Sequence, residues 1–178
     1  LGMGDAEVRV ELVGAPEADD STTALSPTGY DQAEFLIAPN RGEAARPLGQ
    51  IASGGELSRA MLAIKRVLGQ VGPGGLYAFD EVDTGVGGAI AEVIGRKLQD
   101  VAAHHQVLCI THLPQIAVYG DAHYRVHKDV VDGRTHSQIS RLTPSEREEE
   151  VARMLGGLKI SQHTRDAAKD LIEQAAAH

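Results

Sequence analysis

Two short apolar runs, each ending in polar residues and separated by one helix-length segment, constrain this chain more than any other feature. Leu76-Tyr77-Ala78-Phe79 ends at Asp80-Glu81, and Val107-Leu108-Cys109-Ile110 ends at Thr111-His112. Neither run alternates apolar with polar residues, which predicts strands buried on both faces of a parallel sheet. Ala89 to Leu98 lies between them and reads as a helix. Strand, helix and strand at this spacing form a βαβ unit. Its polar residues then fall at the strand ends, where α/β folds bind ligands.

The flanking sequence supplies the remaining elements. Val8, Val10 and Leu12 alternate with Arg9 and Glu11, which predicts a half-buried strand. Gly14 to Gly29 is rich in Pro, Asp, Ser and Thr and reads as a mobile loop. Glu34 to Ile37 is a second strand, with the following loop closing near Pro47. Gly54 to Leu68 turns helical, and Leu57, Met61, Ile64 and Leu68 recur at helical spacing as its expected buried face. Gly72-Pro73-Gly74-Gly75 breaks that helix. Further on, His123 to Val130 and Thr135 to Leu142 flank Asp132-Gly133, a hairpin signal. Thr143 is an N-cap with Pro144 at the first helical position, and that helix runs to about Leu155, before Gly156-Gly157. A last helix spans roughly Thr164 to Ala175.

Composition bounds the partners. At 178 residues the chain is one domain or a large piece of one. It has no apolar stretch near the roughly 18 residues that a membrane helix needs. Leu1 to Asp5 lacks a basic region followed by an apolar one, so no signal peptide is read there. The lone Cys109 excludes an internal disulfide and fits a reducing cytoplasm. A formal charge of −8 argues against a DNA grip through phosphates beyond a local patch. An aromatic content of 3%, with no Trp, argues against a base-stacking platform.

Three groups of residues carry chemistry. Asp80 and Glu81, packed side by side in a partly dry site, would repel, and a bound Mg²⁺ removes that cost. Phosphoryl-transfer sites use one carboxylate to hold the metal's water shell and the other to orient or deprotonate the attacking water. Neighbours on a strand project to opposite sides, which would separate the two roles. The plainer reading of the pair is the opening of a surface loop. Ser53-Gly54-Gly55-Glu56 stands at a helix start, where free N–H groups and the helix dipole favour a phosphate. The same residues also make a capping box, with Ser53 as N-cap and Glu56 as its partner, and both readings can hold together. His112 ends the neighbouring strand, where an imidazole reaches either a phosphate or a purely structural partner. A zinc site built from His104, His105, Cys109 and His112 is disfavoured, because Cys109 and His112 would face opposite sides of a strand. Glu146-Arg147-Glu148-Glu149-Glu150 reads as a solvated first helical turn.

The order of these elements resembles the C-terminal lobe of ABC ATPases: a signature SGGEL, a helix, a Walker B strand with its two carboxylates, a D-loop, and a switch histidine. The wording narrows the resemblance. Ile51-Ala52-Ser53-Gly54-Gly55-Glu56-Leu57-Ser58-Arg59, Phe79-Asp80-Glu81-Val82-Asp83-Thr84-Gly85-Val86-Gly87-Gly88, Thr111-His112-Leu113-Pro114-Gln115 and Ala152-Arg153-Met154-Leu155-Gly156-Gly157 resemble the RecN family of SMC-related repair ATPases. The resemblance covers roughly residues 30 to 160.

The resemblance implies an α/β lobe of a P-loop NTPase head, with a mostly parallel sheet, flanking helices and a hairpin-helix extension. Residues 1–50 would lead in from a coiled coil, 51–120 would hold the motifs, and 121–178 would form the extension. It implies ATP and Mg²⁺ as cofactors. Asp80 would hold Mg²⁺ through water, and Glu81 would be the catalytic carboxylate. Ser53, Gly54, Gly55 and Glu56 would meet the γ-phosphate of ATP carried by a second head, and His112 would contact that phosphate. Asp83 would communicate across the dimer, with Arg59 and Lys65 as couplers. No G-x-x-x-x-G-K-[ST] occurs, since Gly69 to Gly75 lacks a Lys-Ser or Lys-Thr. The implied partners are therefore an N-terminal P-loop lobe, a second head and DNA, in a cytoplasmic, nucleoid-associated setting. Another ABC or SMC head, or a non-enzymatic scaffold for DNA or protein, are the alternatives.

Overall fold

The computed structural model describes residues 5–13, 31–50, 53–68, 74–131, 133–157 and 159–177. The loop expected over 14–29 lies outside them, as do Gly72, Pro73, Asp132 and His178.

The βαβ unit is present. Strand β4 (Leu76–Phe79) pairs in parallel with β5 (Gln106–Cys109), and helix α2 (Gly88–Ala102) connects them. The register sets Leu76 against Gln106 and Phe79 against Cys109, so both strands end at the same edge. The expected burial on both faces is not found. Tyr77 and Phe79 turn towards the core, whereas Leu76 and Leu108 are 62% and 52% exposed. Helices α1 (Gly54–Leu68) and α2 cover one face of this two-stranded sheet, and Leu76 and Leu108 lie exposed on its other face.

That covered face holds the main core. Leu62 of α1, Phe79, Val82, and Ala91, Ile94, Leu98 and Val101 of α2 pack with Ile116 of the short helix α3 (Pro114–Ala117). Helix α1 has the boundaries its sequence predicts, but a different face is buried. Gly55, Arg59, Ala60 and Leu62 turn inward, while Leu57, Met61 and Ile64 are half-buried and Leu68 is exposed. The small and polar side points to the core because it must lie close against the loop after β4.

An antiparallel ribbon stands beside α1. Strand β1 (Glu7–Val13) pairs with β2 (Gln32–Ala38), which pairs with the two-residue β3 (Arg46–Pro47). Val8 lies opposite Ile37 and Val10 opposite Phe35. The expected half-burial of β1 fails, because Val8, Val10 and Leu12 are all exposed. Ile37 is buried, and Val8, Phe35 and Ile37 line an apolar groove against Ala60, Ala63 and Ile64 of α1. Helix α1 thus underlies one end of the ribbon, and Val10 and Leu12 run beyond it.

The second half is built from local signals. Strands β6 (Tyr124–Val131) and β7 (Arg134–Arg141) form an antiparallel hairpin whose last pair is Val131 with Arg134. Gly133 takes φ +74°, a backbone region costly for other residues. Helix α4 (Pro144–Gly156) starts on a complete capping box. The Thr143 hydroxyl accepts from the Glu146 N–H at 3.4 Å, and the Glu146 carboxylate accepts from the Thr143 N–H at 2.8 Å. Helix α5 (Gln162–Ala176) packs on α4, and Val118, Tyr119, Val151, Ala152, Ala168 and Ala175 form a second core.

Candidate functional site

The first turn of α1 lies against the loop that leaves β4. Ser53 caps the helix as expected, its hydroxyl accepting from the Glu56 N–H at 3.2 Å. Gly54 and Gly55 contribute the first N–H groups, which have no acceptor within a helix. One turn on, the Ser58 hydroxyl donates to the Asp80 carbonyl at 2.7 Å. Arg59, only 7% exposed, donates from Nη1 to the Thr84 carbonyl at 2.9 Å and the Val82 carbonyl at 3.5 Å. A β-carbon on Gly54 would collide with the Glu81 carboxylate. The two glycines and the two polar side chains together seat the signature helix on the carboxylate loop.

Asp80 and Glu81 lie past the end of β4, and both are exposed. The partly dry site expected from the sequence is not formed within this chain, because the parallel strands end at its surface. The two residues lie in a turn and not on the strand, so strand alternation does not set them apart. The Asp80 Oδ1 accepts from the Glu81 N–H at 2.9 Å, and Glu81 takes φ +58°, in the left-handed region where side chains other than Gly are uncommon. The Thr84 N–H then closes the turn on the Glu81 carbonyl at 3.0 Å. Val82, fully buried, anchors the turn in the core.

Asp83 faces inward and joins the ends of the two parallel strands. One oxygen, Oδ2, accepts from the Thr111 hydroxyl at 2.6 Å and the His112 backbone N–H at 2.9 Å, and lies 2.9 Å from His112 Nδ1. Burial pushes this carboxyl upward, but the Thr111 and His112 hydrogen bonds and the imidazole's charge outweigh it. The net effect holds Asp83 below the usual carboxylate range. The imidazole of His112 is 73% exposed.

Lys65 and His105 meet at Tyr77. The Lys65 ammonium sits over the Tyr77 ring, 4.6 Å from its centroid. The His105 ring tilts against the same Tyr77 ring, 4.8 Å between centroids, and its Nδ1 accepts from the Gly75 N–H at 3.1 Å. Burial, then the carboxylates of Asp83 and Asp80, push the Cys109 thiol up to about 12. Sequence reasoning missed Ser58 and Thr111. Both stand within the motifs that carry the resemblance, and neither was given a role there.

The structure therefore brings Ser53, Gly54, Gly55 and Glu56 together with Asp80, Glu81, Asp83 and His112 along one edge. Arg59 is an internal strut of that edge, and Lys65 lies outside it.

Solved structures share this arrangement of elements. An Smc head domain with a coiled coil and joint from Pyrococcus yayanosii superposes with a TM-score of 0.54 at 19% identity, covering 84% of this chain and 26% of that one. An Smc head domain from Pyrococcus furiosus, bound to the C-terminal domain of ScpA, gives 0.52 at 19%, covering 86% and 35%. The fold of the chain is that of part of an Smc head domain. Sequence gives the finer assignment. The DNA repair protein RecN of Xylella fastidiosa strain 9a5c is 48% identical over 98% of this chain. RecN of Bacillus subtilis is 42% identical over 96%, and RecN of Treponema pallidum 42% over 99%. The chain belongs to the RecN family, and it spans 30% of the length of these curated relatives. No protein-family profile matches it.

Proposed function

We propose that this chain is the signature-bearing lobe of an ATP-hydrolysing RecN-type head that acts in DNA double-strand-break repair and recombination, with ATP held between two heads. The observation that carries the reading is the seating of the signature turn, Asp80-Glu81 and His112 on one edge by the Ser58–Asp80, Arg59–Thr84 and Asp83–His112 contacts.

The residues fit a phosphate and its metal. Asp80 uses one carboxylate oxygen on the Glu81 N–H and is itself exposed, so its other oxygen would hold Mg²⁺ through water. Bound Mg²⁺ supplies neutralisation of the charge that develops on the phosphoryl oxygens. Glu81 orients the attacking water and accepts its proton at the carboxylate. The Ser53 hydroxyl, the first N–H groups of α1 at Gly54 and Gly55, and the dipole ending beside Glu56 bind the γ-phosphate of ATP carried by the opposing head. His112 contacts that phosphate, and the loop around Asp83 lies at the junction between the heads. The 178 residues contain no P-loop, so the phosphate cradle comes from a separate N-terminal lobe. Among the described residues no helix is long and apolar enough to cross a membrane. A cytoplasmic, nucleoid-associated setting belongs to the same reading.

Turnover of the lobe assembled with its P-loop half tests this. Glu81→Gln is expected to lower kcat by roughly 10²–10⁴-fold while leaving ATP-dependent head pairing intact. The chain by itself is expected to hydrolyse no ATP. Unchanged turnover in Glu81→Gln removes Glu81 from the role.

A further inference from the structure

We propose that Asp83 is a positioning residue for His112 of its own chain, holding the imidazole in one tautomer and one orientation. The proposal rests on the reading that His112 meets the γ-phosphate. A residue reaching across a dimer from the D-loop would be expected to present its side chain at the surface. Asp83 does the opposite, for its carboxylate is 4% exposed and its Oδ2 is taken up by Thr111 and His112 of its own chain.

The division of exposure between the partners is informative. A buried carboxylate that receives a hydroxyl, a backbone N–H and an imidazole at one oxygen is a fixed acceptor. The imidazole it holds is exposed, and without that contact its ring would be free to turn. With Nδ1 against Asp83, Nδ1 carries the proton of the neutral ring, and Nε2 is the nitrogen left for a ligand. A carboxylate fixes a metal-ligating histidine in the same way, by setting which nitrogen bears the proton.

Thr111 completes the device. Its hydroxyl donates to Asp83 at 2.6 Å and accepts from the Leu113 N–H at 3.0 Å, which pins the turn that carries His112. On the other side, Asp83 sits two residues beyond Glu81 on the same closed turn. Glu81 and His112, in the segments that follow β4 and β5, are therefore tied through one carboxylate. A shift of the carboxylate turn moves the histidine with it.

A double-mutant cycle in the lobe assembled with its P-loop half, together with histidine-selective ¹⁵N NMR, tests the assignment. Asp83→Asn is expected to lower kcat on the order of tenfold with KM for ATP changed by less than about twofold. In the His112→Ala background the same substitution is expected to add less than about twofold. In its neutral ring, wild-type His112 is expected as the Nδ1–H tautomer, shifting towards Nε2–H in Asp83→Asn. An equal Asp83→Asn deficit in both backgrounds overturns the positioning role while leaving the phosphate contact of His112 standing. Unchanged turnover in His112→Ala removes that phosphate contact, and the proposal with it. If Asp83→Asn does not fold, the wild-type tautomer decides, and an Nε2–H ring overturns the assignment.

Discussion

A β-carbon on Gly55 would stand 2.9 Å from the carbonyl oxygen of Glu81, nearer than real side chains approach a backbone atom. The signature helix thus touches the backbone of the turn that carries the catalytic candidate. The same β-carbon would also lie 2.9 Å from Thr84 Cβ. Two motifs separated in sequence by a helix and a strand share one packed contact, and the contact has room for hydrogen only.

The two signature glycines should therefore behave differently. Gly55→Ala pushes against backbone and a β-branched side chain and is expected to cost about 1–3 kcal/mol. Gly54→Ala meets only the end of the Glu81 side chain, which can swing away, so its cost should stay within roughly 0.5 kcal/mol. Urea unfolding of the two variants checks this. Equal costs would show that the close approach at Gly55 is not maintained.

Stability should fall in two stages as pH drops. Burial first, then the neighbouring Arg147, push His123 below its ordinary value, with Glu150 opposing them. The unfolded chain then binds a proton that the folded chain refuses. Stability from this group is full above about pH 6.5 and declines as pH falls from there towards the folded value. Glu150 is held low by its hydrogen bonds from Arg153, against burial, and Asp83 is low despite burial. Their contributions are present above about pH 4.3 and 3.9, and are lost as pH falls through their folded values. Denaturant midpoints measured across pH should show both stages. His123→Gln should remove the upper one, and an upper stage that survives in that variant assigns it to another group.

Cys109 should be inert in the folded chain. With its thiol raised to about 12, the thiolate fraction at pH 8 falls far below that of an ordinary cysteine. Alkylation by iodoacetamide is expected to be on the order of 10³-fold slower in the native chain than in urea. Similar rates in the two states would show that the thiol is not buried in the folded chain.

The sequence by itself determined the features that depend on neighbours three or four residues away. Thr143 and Glu146 form their capping box because both donors and both acceptors belong to one turn. Helix α1 keeps its expected boundaries because Ser53 caps it locally. Gly133 supplies the positive φ of the hairpin turn whatever surrounds it. The motif order, too, was legible as a resemblance without any contact being known.

Only the tertiary structure decided which faces those elements bury. Apolar spacing chose Leu57, Met61, Ile64 and Leu68 as the inner face of α1, yet Gly55, Arg59 and Leu62 occupy it. The loop after β4 offers carbonyls at Val82 and Thr84, and a buried guanidinium on that face satisfies them. Periodicity counts apolar residues and is blind to acceptors some twenty positions away. Asp83 turned inward for a similar reason: Thr111 and His112, brought alongside by parallel pairing of β4 with β5, offer two donors and an imidazole nitrogen to one oxygen. The two carboxyl-bearing residues after β4 were visible in the sequence. Which of their neighbours would be buried was set by a partner strand that no local pattern could reveal.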